Sequence, residues 1–400
     1  MSALEVRLGS VRVGLLEHFG EWDYSFSFDE LWLHRPDRPV LGQLFEDVKP
    51  REIESAGHLP CWFDHLLPAP GGPLRRAITR QAGIDEDADF QMLELLGEDL
   101  PGAVVIVPGH PRLSREPRGV SAPAAPSPAG GLRFSLAGQQ WKLSVRAQDD
   151  RLTLPVRGET GDWIAKFHSE SYKDLPRVEL ATMSWAGLSG ISVPPLRAAQ
   201  MSEFVDLPRG IPGGDGTAFL IERFDRRPGG FRVHIEDLAQ VLDRPHGEAI
   251  YEGPYENIAA ILASLSPDDL RPFCERLVFC ALSGNTDAHL KNWSLIYPDG
   301  RHARLSPAYD LVATVLYVPP LDDELALSLG GSKRFEDVRV ESFQSLARVA
   351  ERSFDEVAPW VGQAAERVRT VWHEKGAELP YLPGERARLE KHMARVPLGR

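Results

Sequence analysis

Two aspartates and an asparagine in the second half of the chain are the side chains best suited to chemistry. Asp287 stands five residues before Asn292, and Asp310 follows Asn292 by eighteen residues. A carboxylate can accept a proton from an attacking hydroxyl, while a second carboxylate and an amide oxygen are hard donors that suit Mg²⁺ beside a phosphate group. The order of these residues and the first spacing therefore indicate a site of phosphoryl transfer.

The residues between Asn292 and Asp310 predict a hairpin. Residues 293–297 have the composition of a strand, and residues 298–300 (Pro-Asp-Gly) are a turn signal. Residues 304–305 then run back along the first strand. We therefore expect the hairpin to bring Asp310 beside Asn292.

Two other interpretations of this segment remain open at this point. Aspartate and asparagine are common turn formers, because their side chains bond to neighbouring backbone groups. Alternatively, Asp287, His289 and His302 could supply a carboxylate and two imidazoles to a redox or hydrolytic metal. The segment alone does not decide between phosphoryl transfer, a structural turn and a metal site.

The composition fits a globular enzyme. A chain of 400 residues with 42% hydrophobic content suffices for about two or three compact units. Three cysteines are too few for a disulfide framework, and the chain opens with no basic segment and apolar run, so we expect a cytoplasmic protein. No apolar stretch approaches the ~20 residues that cross a bilayer, so we expect no membrane segment. A net charge of −13 disfavours direct binding to nucleic acid.

A proline- and glycine-rich segment divides the chain. Residues 108–131 hold six prolines and four glycines, which is typical of an exposed linker. Before it, residues 1–107 predict a small α/β unit. Its predicted strands cover residues 6–16 and 24–33, and its predicted helices cover residues 62–67, 74–82 and 89–96.

After the linker, the pattern changes from strands to helices. Residues 132–226 predict a sheet-rich lobe, and residues 227–400 predict a helical lobe that contains the candidate loop. The strands of the first lobe are predicted at 134–146, 163–168 and 219–224, with a possible fourth at 153–155, and its helix at 177–188. Helices of the second lobe are predicted at 235–242, 256–265, 268–283, 340–352 and 355–374.

The sheet-rich lobe contains two features suited to a nucleotide. Residues 135–142 form a turn of small residues whose backbone N–H groups could bind phosphate. Lys166 ends a predicted strand, and Glu179 lies thirteen residues later on a predicted helix, so the two could form the ion pair that kinases use beside the phosphates. The alternative for this pair is an ordinary surface salt bridge.

Taken together, these pieces resemble the HipA-type serine/threonine kinases, the toxins of bacterial toxin–antitoxin pairs. The match covers most of the chain. The residues that carry it are Ser135, Ala137, Gly138, Gln140 and Lys142, then Lys166 and Glu179, then residues 222–226, the loop 284–292 and residues 307–311. The first unit is also similar to that family's N-terminal subdomain through residues 62–68, Arg75, Arg76 and residues 97–103.

The resemblance implies an α+β, bilobal protein-kinase-like fold. In this arrangement residues 132–226 form the nucleotide-binding N-lobe, residues 1–107 form an extra α/β subdomain attached to it, and residues 227–400 form an all-helical C-terminal lobe with the catalytic loop. Residues 108–131 remain the linker.

The resemblance also implies a role for each site residue, with ATP and Mg²⁺ as cofactors. Asp287 is the expected catalytic base, Asn292 and Asp310 hold the metal, and Lys166, paired with Glu179, contacts the phosphates. The backbone of Glu222, Arg223 and Phe224 faces the adenine as a hinge. The remaining expected nucleotide-binding residues are Ala137, Gly138, Gln139, Gln140, Trp141 and Lys142 over the phosphates, and His289, Lys291 and Tyr309 on the loop side.

Ser135 is expected, by resemblance, to be an autophosphorylation site that switches the kinase off. A phosphate there adds nearly two negative charges to a loop that cradles the nucleotide's own phosphates, so it would repel them.

The expected partners also follow from the resemblance. They are a protein substrate, with an aminoacyl-tRNA synthetase as the leading candidate, and a small helix-turn-helix antitoxin similar to HipB that would bring DNA binding indirectly. Two alternatives stay open: a catalytically idle kinase fold that acts as a binding module or co-repressor, and a metal-dependent oxygenase or hydrolase.

Overall fold

The computed structural model describes residues 2–19, 23–48, 51–111, 141–148, 151–154, 160–208, 210–319 and 323–398. Within them, three successive parts of the chain form their own sheets and hydrophobic clusters. Most of the predicted linker and phosphate loop falls outside the described residues. The predicted site residues that lie there are Ser135, Ala137, Gly138, Gln139 and Gln140.

The first part is an antiparallel sheet covered by short helices. Phe26 lies at its centre, where its ring contacts those of Phe28, Phe45 and Phe63. The elements are β1 (Ser2–Leu8), β2 (Val11–Phe19), β3 (Asp23–Phe28), α1 (Glu30–Leu33), α2 (Gln43–Val48), β4 (Glu52–Ala56), α3 (Cys61–Asp64), α4 (Pro73–Ala82), α5 (Asp89–Leu96) and β5 (Val104–Pro108). The strand order is β4-β3-β2-β1-β5.

The second part is another antiparallel sheet with one long helix. Helix α6 has Pro176 in its first turn and is followed by Gly190 at φ +84°, which are common start and stop signals. The elements are β6 (Lys142–Gln148), β7 (Arg151–Thr153), β8 (Trp163–Lys166), α6 (Leu175–Leu188), β9 (Leu196–Gln200) and β10 (Thr217–Glu222). The strand order is β7-β6-β8-β10-β9, and α6 packs on β10 and β9.

The third part is dominated by helices around a central helix, α9, whose side chains are mostly buried. Its elements are β11 (Arg226–Arg227), β12 (Phe231–Arg232), β13 (His234–Asp237), α7 (Leu238–Val241), α8 (Tyr255–Leu265), α9 (Leu270–Ser283), β14 (Ser294–Tyr297), β15 (Arg304–Leu305), β16 (Glu324–Leu329), β17 (Ser332–Arg334), α10 (Gln344–Val349), α11 (Phe354–Lys375) and α12 (Pro383–Arg395). Among the described residues, no helix has the length and apolar character to cross a membrane.

The expectation of an all-helical C-terminal lobe is wrong. Strands β13, β14 and β15 form one antiparallel sheet, and β16 pairs with β17. The helix predicted over residues 235–242 therefore begins only at Leu238, because the preceding residues pair with a strand about sixty residues further along the chain. Long-range pairing of this kind overrides local periodicity. The predicted hairpin before Asp310 is confirmed, since Leu295 pairs with Leu305.

A buried ionic network joins the first part to the segment after β10. Asp225 accepts hydrogen bonds from the Gly102 N–H at 2.8 Å, from Arg223 at 2.9 Å and from Arg226 at 2.8 Å. Both arginines also contact Asp99. Gly102 has φ +70°, and a Cβ there would lie 2.8 Å from the Ile235 nitrogen, so only glycine allows this close approach.

Asp225→Asn should lower the free energy of unfolding at pH 7 by about 3 kcal/mol, because it leaves buried guanidinium groups with too little negative charge. Burial raises the pKa of Asp225, but Arg223 and Arg226 outweigh it and hold that pKa below its usual value. The stabilisation is therefore complete above about pH 4 and is lost as the pH falls through the folded-state pKa.

Urea unfolding of both proteins from neutral to acid pH measures this effect. Asp85→Asn, at an exposed aspartate of the same part, is the matched control and should change stability by less than about 0.5 kcal/mol. A difference between Asp225→Asn and the native chain that stays constant down to pH 2 would contradict the assigned ionic role.

Candidate active site

A cleft of about 740 Å³ lies where the three parts meet, and it contains most of the predicted site residues. Lys166 and Glu222 reach it from the second sheet, Asp287 and Asp310 from the helical part. The first part also lines it, through residues that include His65 and Leu67. The cleft is therefore bounded by three parts of the chain, whereas the sequence indicated two.

The end of helix α9 positions the loop that carries Asp287. Gly284 ends the helix at φ +70°, and a Cβ there would collide with Val315 and approach His392. The Asn285 N–H returns to the carbonyl of Cys280 at 2.9 Å, which closes the last turn. Glycine at this position lets the chain leave the buried helix directly into the cleft.

The loop is held by hydrogen bonds among its own residues. The Asn285 side chain accepts from the Asp287 N–H at 2.9 Å, and the Asn292 amide nitrogen donates to the Asp287 carbonyl at 2.7 Å. From outside the loop, Tyr255 and Trp293 both donate to the carbonyl of Ala288, at 3.0 and 3.1 Å. These bonds fix the five-residue step between Asp287 and Asn292, so both side chains face the same cleft.

Lys166 lies between two carboxylates. Its Nζ contacts Glu179 of helix α6 and also Asp310, and only 7% of the lysine side chain is exposed. Although burial disfavours the ammonium, Asp310 and Glu179 raise the pKa of Lys166 above its usual value. Burial also raises the pKa of Asp310, but Lys166 reverses this and lowers it to about 2. Lys166 is therefore a fixed positive charge in the cleft.

Glu179 is the more deeply buried of the two carboxylates. Its side chain is 1% exposed, against 31% for Asp310. Burial raises the pKa of Glu179, and the ammonium of Lys166 opposes that rise. A structural partner is expected to be buried, while a group that holds a metal must be accessible. The exposures therefore assign Glu179 to positioning Lys166 and leave Asp310 accessible to a ligand.

Asp310 is fixed by an unusual backbone conformation and by the neighbouring tyrosine. Its φ of +54° is in the left-handed region, which aspartate adopts more readily than most residues. The Tyr309 hydroxyl donates to the carbonyl of Lys291 at 2.8 Å and contacts the Ser294 hydroxyl. The segment before Asp310 is thus tied to the loop that contains Asn292.

The oxygen atoms near the loop suit Mg²⁺ better than a redox metal. Because the Asn292 amide nitrogen is bonded to the Asp287 carbonyl, its amide oxygen is the atom left for a ligand. Asn292 and Asp310 both line the cleft, and amide and carboxylate oxygens are the hard donors that Mg²⁺ prefers. No group of three or more His, Cys, Asp or Glu side chains able to hold a metal occurs in the described part of the chain.

The alternative metal site on Asp287, His289 and His302 is not assembled. His302 is an exposed turn residue whose ring contacts Asp299 at 2.7 Å. His289 lines the cleft but is 1% exposed, and burial together with nearby Lys291 lowers its pKa to about 3. Its neutral ring lies near the loop carboxylate, with Nε2 3.9 Å from Asp287 Oδ1.

Lys291 is contacted by a residue of the first part that the sequence did not indicate. Its Nζ lies 3.0 Å from His65 Nδ1, while His65 Nε2 lies 2.5 Å from the Arg244 carbonyl. A carbonyl only accepts, so Nε2 carries the proton and Nδ1 accepts from the lysine. Burial lowers the pKa of Lys291, and Asp237 opposes this. The first part therefore helps to place a cation in the cleft.

The predicted hinge lies at the edge of the same cleft. Glu222, Arg223 and Phe224 all line it, and the Phe224 ring lies 5.7 Å from that of Tyr309. The Arg223 side chain instead belongs to the buried network with Asp225. Phe224 and Tyr309 thus place two neighbouring aromatic rings in the lining of the cleft.

Only two residues of the predicted phosphate-covering segment are described. Lys142 starts β6, pairs with Lys166 on β8 and lines the cleft. Trp141 packs against the hydrophobic cluster of the second sheet, and its carbonyl accepts from the Phe167 N–H at 2.9 Å. Their roles toward a nucleotide stay a prediction.

Two further site residues, Tyr251 and His65, were missed from sequence. The Tyr251 hydroxyl donates to Asp287 Oδ1 at 2.5 Å, and His65 contacts Lys291. His65 belongs to the segment 62–68 used for the family resemblance, which was the one available signal for it. Tyr251 lies between Gly247 and Gly253, in a stretch where no sequence motif indicated a functional residue.

These features define a kinase-like protein, and comparisons with known proteins agree. The family model described as the HipA N-terminal domain matches residues 4–107, and that of the HipA-like C-terminal domain matches residues 134–372. The chain therefore belongs to the HipA-type kinase family.

Individual relatives cover nearly the whole chain. It is 36% identical over 418 residues to a Sinorhizobium fredii protein named as kinase Y4dM, covering 100% of this chain and 98% of that protein. It is 27% identical over 385 residues to the serine/threonine-protein kinase toxin HipA of Shewanella oneidensis, covering 86% and 82%. The solved complex of Shewanella oneidensis MR-1 HipA, HipB and operator DNA contains a chain of the same fold, with a TM-score of 0.72, 21% identity and coverage of 98% and 96%.

Lys166→Met should lower the free energy of unfolding by about 3 kcal/mol at pH 7, because it leaves two carboxylates beside each other without their cation. Lys142→Met is the matched control, since Lys142 is exposed and directly opposite Lys166 in the sheet. It should change stability by less than about 0.5 kcal/mol. Urea unfolding measures both, and equal effects of the two variants would show that the buried ion pairs do not stabilise the fold.

Proposed function

We propose that the protein is a serine/threonine kinase that transfers the γ-phosphoryl group of ATP to a hydroxyl of another protein. The observation that carries the proposal is Lys166, held between Glu179 and Asp310 in a cleft that also contains Asp287 and Asn292. Phosphoryl transfer needs a positioned base, a cation beside the phosphates and metal-binding oxygens, and these residues supply all three.

In the proposed reaction each residue acts on a defined group. Asp287 orients the acceptor hydroxyl and takes its proton, while Lys166 binds phosphate oxygens and offsets their charge. Asn292 and Asp310 would hold Mg²⁺, which neutralises charge that develops on the phosphates. The hinge backbone of residues 222–224 and the ring of Tyr309 would receive the adenine.

The nucleotide must alter the ion pairs of Lys166. Asp310 contacts the Lys166 ammonium directly. If the Asp310 carboxylate turns toward a metal, it must share the Lys166 ammonium with a phosphate group. Glu179 is buried and keeps its contact, which holds the ammonium at the end of β8. We infer that binding exchanges the Asp310 contact for a phosphate contact and retains the Glu179 contact.

We further propose an aminoacyl-tRNA synthetase as the phosphorylated protein, with inhibition of translation and growth as the result. The support is membership of the HipA-type family and the named toxin among the relatives. The proposed location is the cytoplasm, where such a substrate is found.

A small helix-turn-helix antitoxin similar to HipB is the proposed partner. Its support is that the structural neighbour was solved with HipB and operator DNA. DNA contact would come through the antitoxin, which agrees with the net charge of −13 on this chain.

Phosphorylation of Ser135 is proposed as the off-switch. Its support is membership of the HipA-type family, and Lys142, seven residues later in the sequence, lines the cleft and pairs with Lys166 in the sheet. A phosphate on Ser135 would compete for the same cations. Mass spectrometry after incubation with ATP tests this, and unmodified Ser135 beside strong phosphorylation of a substrate would contradict it.

Asp287→Asn should reduce phosphate transfer by about 10²- to 10⁴-fold, because it removes the base and keeps the size of the side chain. The measurement is incorporation of label from [γ-³²P]ATP into a panel of aminoacyl-tRNA synthetases. Asp85→Asn is the control and should label the panel as the native chain does. Expression of the native chain, but not of Asp287→Asn, should arrest growth.

Labelling, nucleotide binding and metal content together separate the alternatives. Equal labelling by the native chain and Asp287→Asn would refute the assigned base. Nucleotide binding without transfer by either protein would favour an idle kinase fold that acts as a binding module. Stoichiometric iron or zinc without nucleotide affinity would contradict the kinase proposal.

A further inference from the structure

A tyrosine outside the predicted motifs contacts the proposed base. The Tyr251 hydroxyl donates a hydrogen bond to Asp287 Oδ1 at 2.5 Å, across 36 positions of sequence. Tyr251 ends a short 3₁₀ helix, Glu248–Tyr251, that lies between α7 and α8 and lines the cleft. We propose that Tyr251 is a positioning residue of the transfer reaction, which holds the Asp287 carboxylate in the orientation for proton acceptance. This inference rests on the proposed function.

The backbone of the segment that carries Tyr251 is held by hydrogen bonds from the β16–β17 hairpin. Lys333 of β17 donates to the Tyr251 carbonyl at 3.1 Å and to the Ala326 carbonyl at 2.8 Å. The Ser328 N–H reaches the carbonyl of Gly253 at 3.3 Å. Strands β16 and β17 therefore anchor the backbone at Tyr251 and at Gly253, and the Tyr251 hydroxyl is held at a defined place beside Asp287.

The ring of Tyr251 is also located by packing. It meets the His289 ring edge to face, with centroids 4.7 Å apart and planes at 80°. His289 follows Asp287 by two residues, so the tyrosine contacts the base and the loop at once. Contact through both the ring and the hydroxyl limits rotation of the side chain, which is the requirement for a residue that orients another.

His289 does not provide the same interaction with the carboxylate. Its Nε2 lies 3.9 Å from Asp287 Oδ1, beyond hydrogen-bond distance, and the ring is neutral at physiological pH. Burial raises the pKa of Tyr172 and of Tyr255, and the negative charge of nearby Asp287 adds to the rise in each. Tyr255 donates to the Ala288 carbonyl instead. The Tyr251 hydroxyl, by contrast, donates directly to the Asp287 carboxylate.

The proposed step conserves protons and electrons without a further reactant. The acceptor O–H bond breaks and its proton passes to Asp287, while the acceptor oxygen forms a bond to the γ-phosphorus. The bond from that phosphorus to the β–γ bridging oxygen breaks, and its electron pair leaves on ADP. Tyr251 keeps its own proton throughout, so its contribution is orientation of the carboxylate and stabilisation of its ionised form.

Tyr251→Phe tests the assignment, because it removes the hydroxyl and keeps the ring that packs on His289. With [γ-³²P]ATP and a synthetase labelled by the native chain, or dephosphorylated casein if none is labelled, kcat should fall about 10-fold, as expected for one hydrogen bond to a charged group. The KM for ATP should stay within about twofold.

Tyr317→Phe is the control variant. The Tyr317 hydroxyl donates to the Lys173 carbonyl at 2.9 Å, so the change removes one tyrosine hydrogen bond away from Asp287. Its kcat should match that of the native chain. An unchanged kcat in Tyr251→Phe, or a fall in kcat with an equally large rise in the KM for ATP, would overturn the proposal, because a general disturbance of the cleft predicts the second result. Faster transfer would also overturn it, since the hydroxyl would then be blocking the acceptor.

A second measurement does not need transfer activity. Carbon-13 NMR of labelled aspartate carboxyl groups at one fixed neutral pH, with Asp287→Asn to assign the signal, reports the surroundings of the Asp287 carboxylate. Tyr251→Phe should move that signal while Tyr317→Phe leaves it in place, and an unmoved signal in Tyr251→Phe would refute the contact whether or not the native chain is a kinase. If the native chain labels no protein while the signal does move, the contact stands and the kinase proposal fails.

Discussion

The contact of one ammonium group with two carboxylates is the interaction on which the site depends. Lys166 ends β8, Glu179 belongs to α6, and Asp310 follows the hairpin of the helical part. A buried lysine is unfavourable alone, and so are two neighbouring carboxylates, but the three groups together satisfy one another. Strand β8, helix α6 and the segment that contains Asp310 are thereby held in one relative position. The 31% exposure of Asp310 then leaves this member of the triad open to exchange with a ligand.

The first part of the chain supports the same cleft from the other side. Asp99 of the first part binds Arg223 of the hinge and Arg226 just after it. Glu236 accepts from Trp62 at 3.2 Å and from the Gln43 N–H at 2.8 Å. His65 reaches Lys291 in the catalytic loop. These contacts make the N-terminal part a structural component of the site, so a change in its packing would alter the loop that contains Asp287.

Five of the proposed site residues lie in short, ordered sequence motifs. Asp287, Asn292, Asp310, Lys166 and Glu179 were found because fixed spacing on a loop, a strand and a helix constrains their positions, and the structure brings them to one cleft. Tyr251 and His65 could not be found in this way. Their contacts join residues 36 and 226 positions apart, and no local pattern encodes such a distance.

The same reason explains the error in the helical lobe. Residues 235–242 have apolar spacing that fits a helix, but residues 234–237 form a strand because they pair with residues 294–297. Most helices around α9 agree with the prediction to within a few residues, because burial of one face imposes a helical period on the sequence itself.

The central claim is that Asp310 turns from Lys166 to a metal-bound nucleotide while Glu179 retains the lysine. Isothermal titration calorimetry of ATP, with and without Mg²⁺, tests it most directly in the native chain and in Asp310→Asn. We expect Mg²⁺ to strengthen ATP binding to the native chain by at least about tenfold, a gain of about 1.4 kcal/mol. Most of this gain should disappear in Asp310→Asn. Equal gains in both proteins, or ATP binding that does not respond to Mg²⁺, would contradict it.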